Sequence, residues 1–136
     1  MAISIVRQYS VFLPNRPGAL SEFTKLFMDQ GINIIGIASE IRGESGVVHV
    51  TVDSDKRIGY ILTQAGFTTV ESPILSIELP DKVGQLYKLS KLLGEMSVNI
   101  TTVYGTSIGG GVSRLLISVT DFEKVRDSIS KIKLED

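Results

Sequence analysis

The sequence has no cysteine and no tryptophan, and it has a single histidine, His49. Without cysteine the chain has no disulfide and no thiolate ligand for a metal. One histidine among scattered acidic residues gives no metal-ligand cluster, no nucleophile beside a base and no matched pair of carboxylates. The sequence therefore predicts a protein that is not an enzyme, needs no cofactor and holds no metal.

Neither charge nor hydrophobicity is concentrated in one part of the chain. Fourteen basic and fifteen acidic residues give a formal net charge of −1, and the absence of a basic stripe argues against nucleic acid as a partner. Residues 2–9 are too short and too interrupted a hydrophobic run to be a signal peptide or a membrane span. The 136 residues, 43% of them hydrophobic, can form one ordinary domain or two small ones. We therefore expect a cytoplasmic protein without membrane association.

The most informative feature is a segment that occurs twice, 66 residues apart. Residues 13–20 read LPNRPGAL and residues 79–86 read LPDKVGQL, and the same spacing aligns residues 33–34 with residues 99–100, both Asn-Ile. A repeat of this length indicates two copies of one structural unit. We expect the first unit to span residues 1–71 and the second to span residues 72–136.

Hydrophobic periodicity predicts the same order of elements in both copies. Alternation over residues 5–13 predicts a strand, which the repeated segment joins to a helix with Leu20, Phe23, Leu26 and Phe27 on its apolar face. Two strands, a short helix and a fourth strand follow, whereas the second copy leaves only residues 133–135 for its last strand. This order predicts an α+β fold of two ferredoxin-like βαββαβ units with antiparallel sheets side by side and helices on one face.

Apolar residues are also expected on the sheet face opposite the helices. Phe12 and Leu116 fall on that face in the predicted strands. Their position suggests that a partner covers this face, most simply a second copy of the chain in a homodimer.

The repeated segment is the candidate ligand site. In each copy it places a glycine, Gly18 or Gly84, before a helix whose first N–H groups and positive dipole end can hold a carboxylate. Asn15 is expected to accept from these first-turn N–H groups, whereas Asp81 in the second copy favours an ammonium group. Asn33 and Asn99 are expected beside the loops, where an amide that both donates and accepts suits a zwitterion.

Other interpretations of these features remain open. A Pro-Gly pair before a helix is often only a turn and a cap, and an asparagine after a glycine often serves the backbone. The βαββαβ order also occurs in RNA-binding domains, but the predicted third strands, residues 47–52 and 114–119, lack an aromatic platform. Residues 109–111, three glycines between two strands, are interpreted as a hairpin tip, and His49 as a surface residue of a strand.

The loop, the helix and the following Gly-Ile-Asn-Ile segment, residues 31–34, resemble the signature of the ACT domain. A second, more divergent signature occupies residues 81–86 and 98–100, with Asp81 in place of the amide and Val83 in place of the proline. The whole chain resembles stand-alone tandem ACT proteins. This resemblance implies regulatory domains that bind an amino acid between neighbouring ACT units, where the loop of one unit faces the second strand of another. Carried over by position, the ligand-binding residues are Asn15, Arg16, Pro17, Gly18, Ala19, Leu20, Asn33 and Ile34, and in the second copy Asp81, Lys82, Val83, Gly84, Gln85, Leu86, Asn99 and Ile100.

The sequence therefore favours a non-catalytic regulatory protein that binds an amino acid or a similar zwitterion. The expected partners are a second copy of the chain and an enzyme under its regulation. The alternative is a structural module for oligomerisation that binds no ligand. A small enzyme is a third possibility, for which the sequence offers only His49 as a candidate.

Overall fold

The computed structural model describes residues 2–128, which form six strands and four helices. The elements along the chain are β1 (Ala2–Pro14), α1 (Ala19–Asp29), β2 (Ile34–Arg42), β3 (Ser45–Val52), α2 (Gly59–Gln64), β4 (Thr69–Pro80), α3 (Gln85–Glu95), β5 (Ile100–Gly109), β6 (Val112–Val119) and α4 (Phe122–Ser128). This order confirms the predicted α+β class. No helix in residues 2–128 is both long enough and apolar enough to span a membrane.

The chain divides into two compact units that differ from the predicted division at the start of the chain. The N-terminal unit comprises residues 6–72, and the C-terminal unit comprises residues 73–136 together with residues 1–5. The repeat predicts that residues 1–5 belong to the first unit. The start of β1 therefore belongs to the C-terminal unit, and its Ile3 packs against the hydrophobic core of that unit. The expected last strand at residues 133–135 lies outside the described residues.

The N-terminal unit contains an antiparallel arrangement in which β3 pairs with β1 on one side and with β2 on the other. The β1–β3 register runs from Arg7 opposite Val52 to Pro14 opposite Ser45. One face of these strands packs against α1 and α2, as the strand alternation and helical spacing predict. The buried core of this unit contains Tyr9, Val11, Leu13, Phe23, Phe27, Ile32, Val48, Val50, Val52, Ile58 and Leu62.

The C-terminal unit repeats this pattern, with β6 paired to β4 and to β5. Pro80 lies opposite Val112 and Leu75 opposite Ile117. Its buried core is formed by Leu75, Ile77, Leu79, Leu89, Leu93, Ile117 and Val125. Each unit thus buries an apolar core of its own.

The two hairpins turn more tightly than the sequence suggests. The turn between β2 and β3 is only Gly43-Glu44, and the turn between β5 and β6 is only Gly110-Gly111. Two-residue hairpin turns need positive φ angles, and Gly43, Gly110 and Gly111 have φ angles of 64°, 64° and 75°. In the second hairpin, β5 therefore includes Gly109, the first of the three glycines predicted to form the tip.

Helices α1 and α3 end in the same way but with different residues. After α1, the N–H of Gly31 donates to Met28 O at 3.0 Å and that of Ile32 to Phe27 O at 2.9 Å, a Schellman motif. The equivalent bonds after α3 are donated by Ser97 and Val98. Gly31 has φ 67° and Ser97 has φ 60°, the latter a conformation that glycine adopts more easily.

Two predictions about exposure were wrong. Leu20 was predicted on the apolar face of α1, but it is 47% exposed and lies outside the core of its unit. Leu116 is buried within the chain at 2% exposure, so it needs no partner to cover it, whereas Phe12 on the same predicted face is 57% exposed. Alternation assigns a residue to a face of a sheet, but it does not show what else the chain lays over that face.

Candidate ligand-binding loops

The loop between β1 and α1 is fixed to the β2–β3 turn by two hydrogen bonds from one residue. The backbone N–H of Asn15 donates to Glu44 O at 2.8 Å, and its side-chain Nδ2 donates to Gly43 O at 3.0 Å. The prediction that Asn15 caps α1 was wrong, because Gly18 occupies the N-cap position and no side chain caps the helix. Asn15 therefore positions the loop, and its Oδ1 atom makes none of these bonds.

The loop between β4 and α3 has the same backbone geometry. Asp81 N–H donates to Gly111 O at 2.8 Å, as Asn15 N–H does to Glu44 O. The next residue in each loop donates its backbone N–H to the carbonyl of the proline two positions earlier. Arg16 N–H donates to Pro14 O at 3.0 Å, and Lys82 N–H donates to Pro80 O at 2.9 Å. The repeated sequence is thus a repeated structure.

Gly18 and Gly84 are required by the backbone conformation of these loops. Their φ angles are 85° and 91°, in the left-handed region where a side chain adds about 1 to 2 kcal/mol of strain. A Cβ atom at Gly84 would meet nothing within 4 Å, and one at Gly18 would meet only Ser21 Oγ at 3.9 Å. The space in front of both helix starts is open, so a ligand could approach the backbone.

Both helix starts leave peptide N–H groups without a capping side chain. The first intrahelical bonds at these ends are donated by Glu22 N–H to Gly18 O and by Lys88 N–H to Gly84 O, each at 3.0 Å. Ala19 N–H and Gln85 N–H donate to Arg16 O and Lys82 O, each at 3.3 Å, and no side chain caps the next N–H groups of either helix. Such donors at the positive end of a helix are suited to a carboxylate.

The charges beside the two loops differ. Arg16 and Glu22 form an exposed ion pair at 2.7 Å, and their hydrogen bond and opposite charges raise the pKa of Arg16 and lower that of Glu22. At the equivalent positions of the second loop stand Lys82 and Lys88, which form no ion pair with any residue in 2–128. The C-terminal loop therefore has free cationic charge that the N-terminal loop lacks.

The two candidate asparagines also differ in their environment. Asn33 is exposed, and its side chain has no hydrogen-bond partner among the described residues. Asn99 Nδ2 donates to Thr120 Oγ1 at 2.9 Å, and Thr120 N–H donates to Asn99 O at 3.0 Å. Asn99 thus links the start of β5 to the segment before α4, whereas the Asn33 side chain has no such bond among the described residues.

The prediction that each asparagine lies beside the loop of its own unit was wrong. Ile34, next to Asn33, pairs with Val52 at the Arg7 end of β1, whereas the loop follows Pro14 at the other end. Seven residues of strand separate these ends, a distance of about 24 Å. Ile100 likewise pairs with Val119, far along β6 from Val112 at the loop end. Register, which the sequence pattern does not show, decides this point.

A β-bulge follows each asparagine, a feature that the sequence analysis did not identify. The pairing of β2 shifts between Ile34 and Gly36, and that of β5 shifts between Ile100 and Thr102. The two bulges occupy equivalent positions in the repeat. Bulges redirect neighbouring side chains and are common beside functional sites, so the strand starts remain candidates for ligand contact.

His49 occupies the position expected for a partly exposed strand residue. Its Nδ1 lies 2.7 Å from Ser10 Oγ on the neighbouring strand β1, and its partial burial lowers its pKa. The imidazole is therefore neutral at physiological pH and held by a strand contact. Within residues 2–128, no three His, Cys, Asp or Glu side chains are grouped so that they could hold a metal ion.

Comparison with known proteins finds one partial family match and several similar folds. The family model of the ACT domain matches residues 9–60. The structure is similar to that of protein BT0572 from Bacteroides thetaiotaomicron, with a TM-score of 0.82 and 21% identity over 95% of this chain and 89% of that one. No curated protein matches the sequence.

The fold is also similar to two structures of aspartate kinase components. The ligand-free regulatory subunit of aspartate kinase from Thermus thermophilus has a TM-score of 0.68 and 16% identity over 96% of both chains. A structure of aspartokinase alpha and beta subunits has a TM-score of 0.65 and 20% identity over 92% of this chain and 89% of that one. At such identities the similarity shows the fold alone. The family match at residues 9–60 covers the first loop and Asn33, the segment that resembles the ACT signature.

Proposed function

We propose that this protein is a non-catalytic, cytoplasmic regulatory protein that binds an amino acid at the start of α1. The observation that carries the proposal is the uncapped helix start behind Gly18, with open space in front of it. The ligand carboxylate accepts from the first-turn N–H groups of α1, and the loop residues 15–20 surround it. The repeated loop, residues 81–86, is the equivalent candidate in the C-terminal unit.

A complete site needs a second ACT unit. Because Asn33 and residues 15–20 lie about 24 Å apart in one unit, they can contact one ligand only if each comes from a different unit. We propose that a second copy of the chain supplies the other half in a homodimer. Ligand binding would then stabilise the dimer by mass action, which is a means of signalling to another protein.

The target of such a signal is proposed to be an enzyme under feedback control. The support is the similarity in fold to two structures described as the regulatory subunit of aspartate kinase. The amino-acid effector class is proposed from the resemblance of the first loop and the Asn33 segment to the ACT signature.

The proposed site is tested by placing a side chain in front of the helix start. Asparagine tolerates positive φ, so Gly18→Asn should fold while its side chain occupies the open space. Gly31→Asn is a matched control, since Gly31 also has positive φ and open surroundings but lies at the other end of α1. Calorimetric titration with each amino acid should show binding by the wild type and Gly31→Asn and a loss of at least about tenfold in affinity for Gly18→Asn. Equal affinity in all three proteins would reject the site.

A structural module remains the second candidate, because the same loops expose apolar side chains. Leu20 and Leu86 are 47% and 52% exposed, and Val83 is fully exposed. Such residues at equivalent positions also suit a permanent interface between proteins. This candidate predicts a stable oligomer in which no amino acid changes either stability or size.

A further inference from the structure

The C-terminal unit contains an open groove of about 590 Å³. Of the candidate loop residues 81–86, only Lys82 lines it. It lies between the end of β4, the turn between β5 and β6, and the start of β1. Six of the residues that line it are Ala2, Glu78, Pro80, Lys82, Gly110 and Gly111. Its size is within the range of small-molecule sites.

Two residues of opposite charge, Glu78 and Lys82, line this groove. Glu78 is held from the neighbouring strand by Arg114, whose Nη2 lies 3.2 Å from Glu78 Oε1. This contact fixes one carboxylate oxygen of Glu78 and leaves the other for a ligand. Lys82 forms no ion pair with any described residue, so its ammonium group is free. The groove therefore offers one fixed anion and one free cation.

The glycine turn adds backbone donors to the same groove. Gly110 and Gly111 have no side chains, and a Cβ atom on either would meet nothing within 4 Å. Their N–H groups donate none of the turn or loop hydrogen bonds found in residues 2–128. Gly111 O accepts from Asp81 N–H at 2.8 Å, which keeps the turn beside Lys82. The two glycines of the turn and Lys82 thus line the same groove.

The corresponding groove of the N-terminal unit has different chemistry. It measures about 440 Å³ and is lined by Phe12, Glu40, Ser45, Gly46 and Val47. Phe12 stands where Glu78 stands in the repeat, and none of these residues is a cation. The paired charges are therefore a property of the C-terminal unit and not of the repeated scaffold.

We propose that the C-terminal groove binds the zwitterionic backbone of a free amino acid. The carboxylate is held by Lys82 and the N–H groups of Gly110 and Gly111, and the ammonium group is held by Glu78. For its ligand class the inference rests on the proposed function, but the residues that carry it lie away from Gly18 and Asn33. The two proposals can therefore fail separately.

The test is a titration of the ¹⁵N-labelled full chain followed by amide chemical shifts. The probes are glycine as a minimal zwitterion, acetate as a carboxylate without the ammonium group, and methylammonium as the reverse. Glycine should shift the amides of Gly110 and Gly111 and bind more tightly than either fragment. Lys82→Gln and Glu78→Gln should each weaken glycine binding by roughly tenfold. Lys91→Gln, which changes an exposed cation in the second half of α3 that pairs with Glu95, is the control and should have no effect.

The outcomes separate this site from the N-terminal one. If Gly18→Asn abolishes shifts in the N-terminal unit but not those at Gly110 and Gly111, both sites exist and are independent. Acetate binding as tight as glycine, or unchanged glycine binding in Glu78→Gln, would overturn the zwitterion assignment. Absence of any shift at Gly110 and Gly111 at saturating glycine would overturn the site, whatever happens at Gly18.

Discussion

At the scale of single residues, the geometry of the two loops depends on backbone conformation more than on side chains. Gly18 and Gly84 have left-handed φ angles and open surroundings, so their role is to form the helix start and keep it accessible. Asn15 serves the loop by bonding Gly43 O. The repeat singled out these residues, but that Asn15 holds the loop instead of capping α1 depends on bond directions that only the structure shows.

Ser97 gives a prediction about stability at this scale. It has φ 60° at the end of α3, where the equivalent residue after α1 is Gly31. Ser97→Gly should raise the free energy of unfolding by about 0.5 to 1 kcal/mol, since relief of left-handed strain exceeds the added entropy of the unfolded chain. Gly31→Ser should lower it by a similar amount. Chemical denaturation measures both, and a destabilised Ser97→Gly protein would contradict this explanation.

His49 predicts a dependence of stability on pH. Burial lowers the pKa of His49 from the ordinary value of 6.5. As the pH falls below 6.5, the imidazole is therefore protonated in the unfolded chain before it is protonated in the folded chain. The contribution of His49 to stability is therefore complete above about pH 6.5 and is lost as the pH falls toward its folded pKa. Denaturation at about pH 8 and about pH 5.5 should show a smaller loss for His49→Gln than for the wild type. Equal losses would contradict the assignment.

At the scale of elements, periodicity predicted the strands and helices because each unit has one buried face. The stripe of α1 was predicted from Leu20 onward, yet Phe23 and Phe27 are buried while Leu20 is exposed. A residue in the first turn of a helix can extend past the sheet that the later turns cover. The distance between Asn33 and the loop could not be predicted, since alternation defines faces of strands and not which end of one strand lies beside which end of another.

Glu71 links three segments of the N-terminal unit. Its Oε1 lies 2.7 Å from Arg7 Nε on β1 and 3.1 Å from Arg57 Nη2 before α2. Because Glu71 and Arg7 are each about three-quarters buried, Glu71→Gln should destabilise the protein by about 1 to 2 kcal/mol. Glu22→Gln is the control, because its ion pair with Arg16 is exposed and should add little. Equal unfolding midpoints for the two variants would show that the Glu71 contacts are unimportant.

At the scale of the whole molecule, the repeat predicted two units, each of which has its own core. The repeat could not predict that residues 1–5 belong with residues 73–136. Residues 1–5 precede the repeated segment, and their alternation of apolar and polar residues continues into the rest of the predicted strand. The unit to which they belong depends on tertiary contacts, which that alternation does not show.

Ile3 and Ile5 test this assignment as a pair. Ile3 packs against the core of the C-terminal unit, whereas Ile5 is 45% exposed. Ile3→Ser should lower the free energy of unfolding by about 1 to 2 kcal/mol and change amide shifts in the C-terminal unit. Ile5→Ser should have a clearly smaller effect on both. If Ile3→Ser changed only amides of residues 6–72, the grouping of residues 1–5 would be incorrect.

The most direct test of the central claim is a thermal-shift screen of the full chain against the twenty amino acids, with particle size followed in parallel. The account predicts that one or a few amino acids raise the melting temperature in a concentration-dependent way, corresponding to about 2.7 kcal/mol at a hundredfold excess over Kd, and favour the dimer. A flat response across all twenty, with an oligomer of unchanged size, would contradict amino-acid sensing and leave the structural module as the explanation.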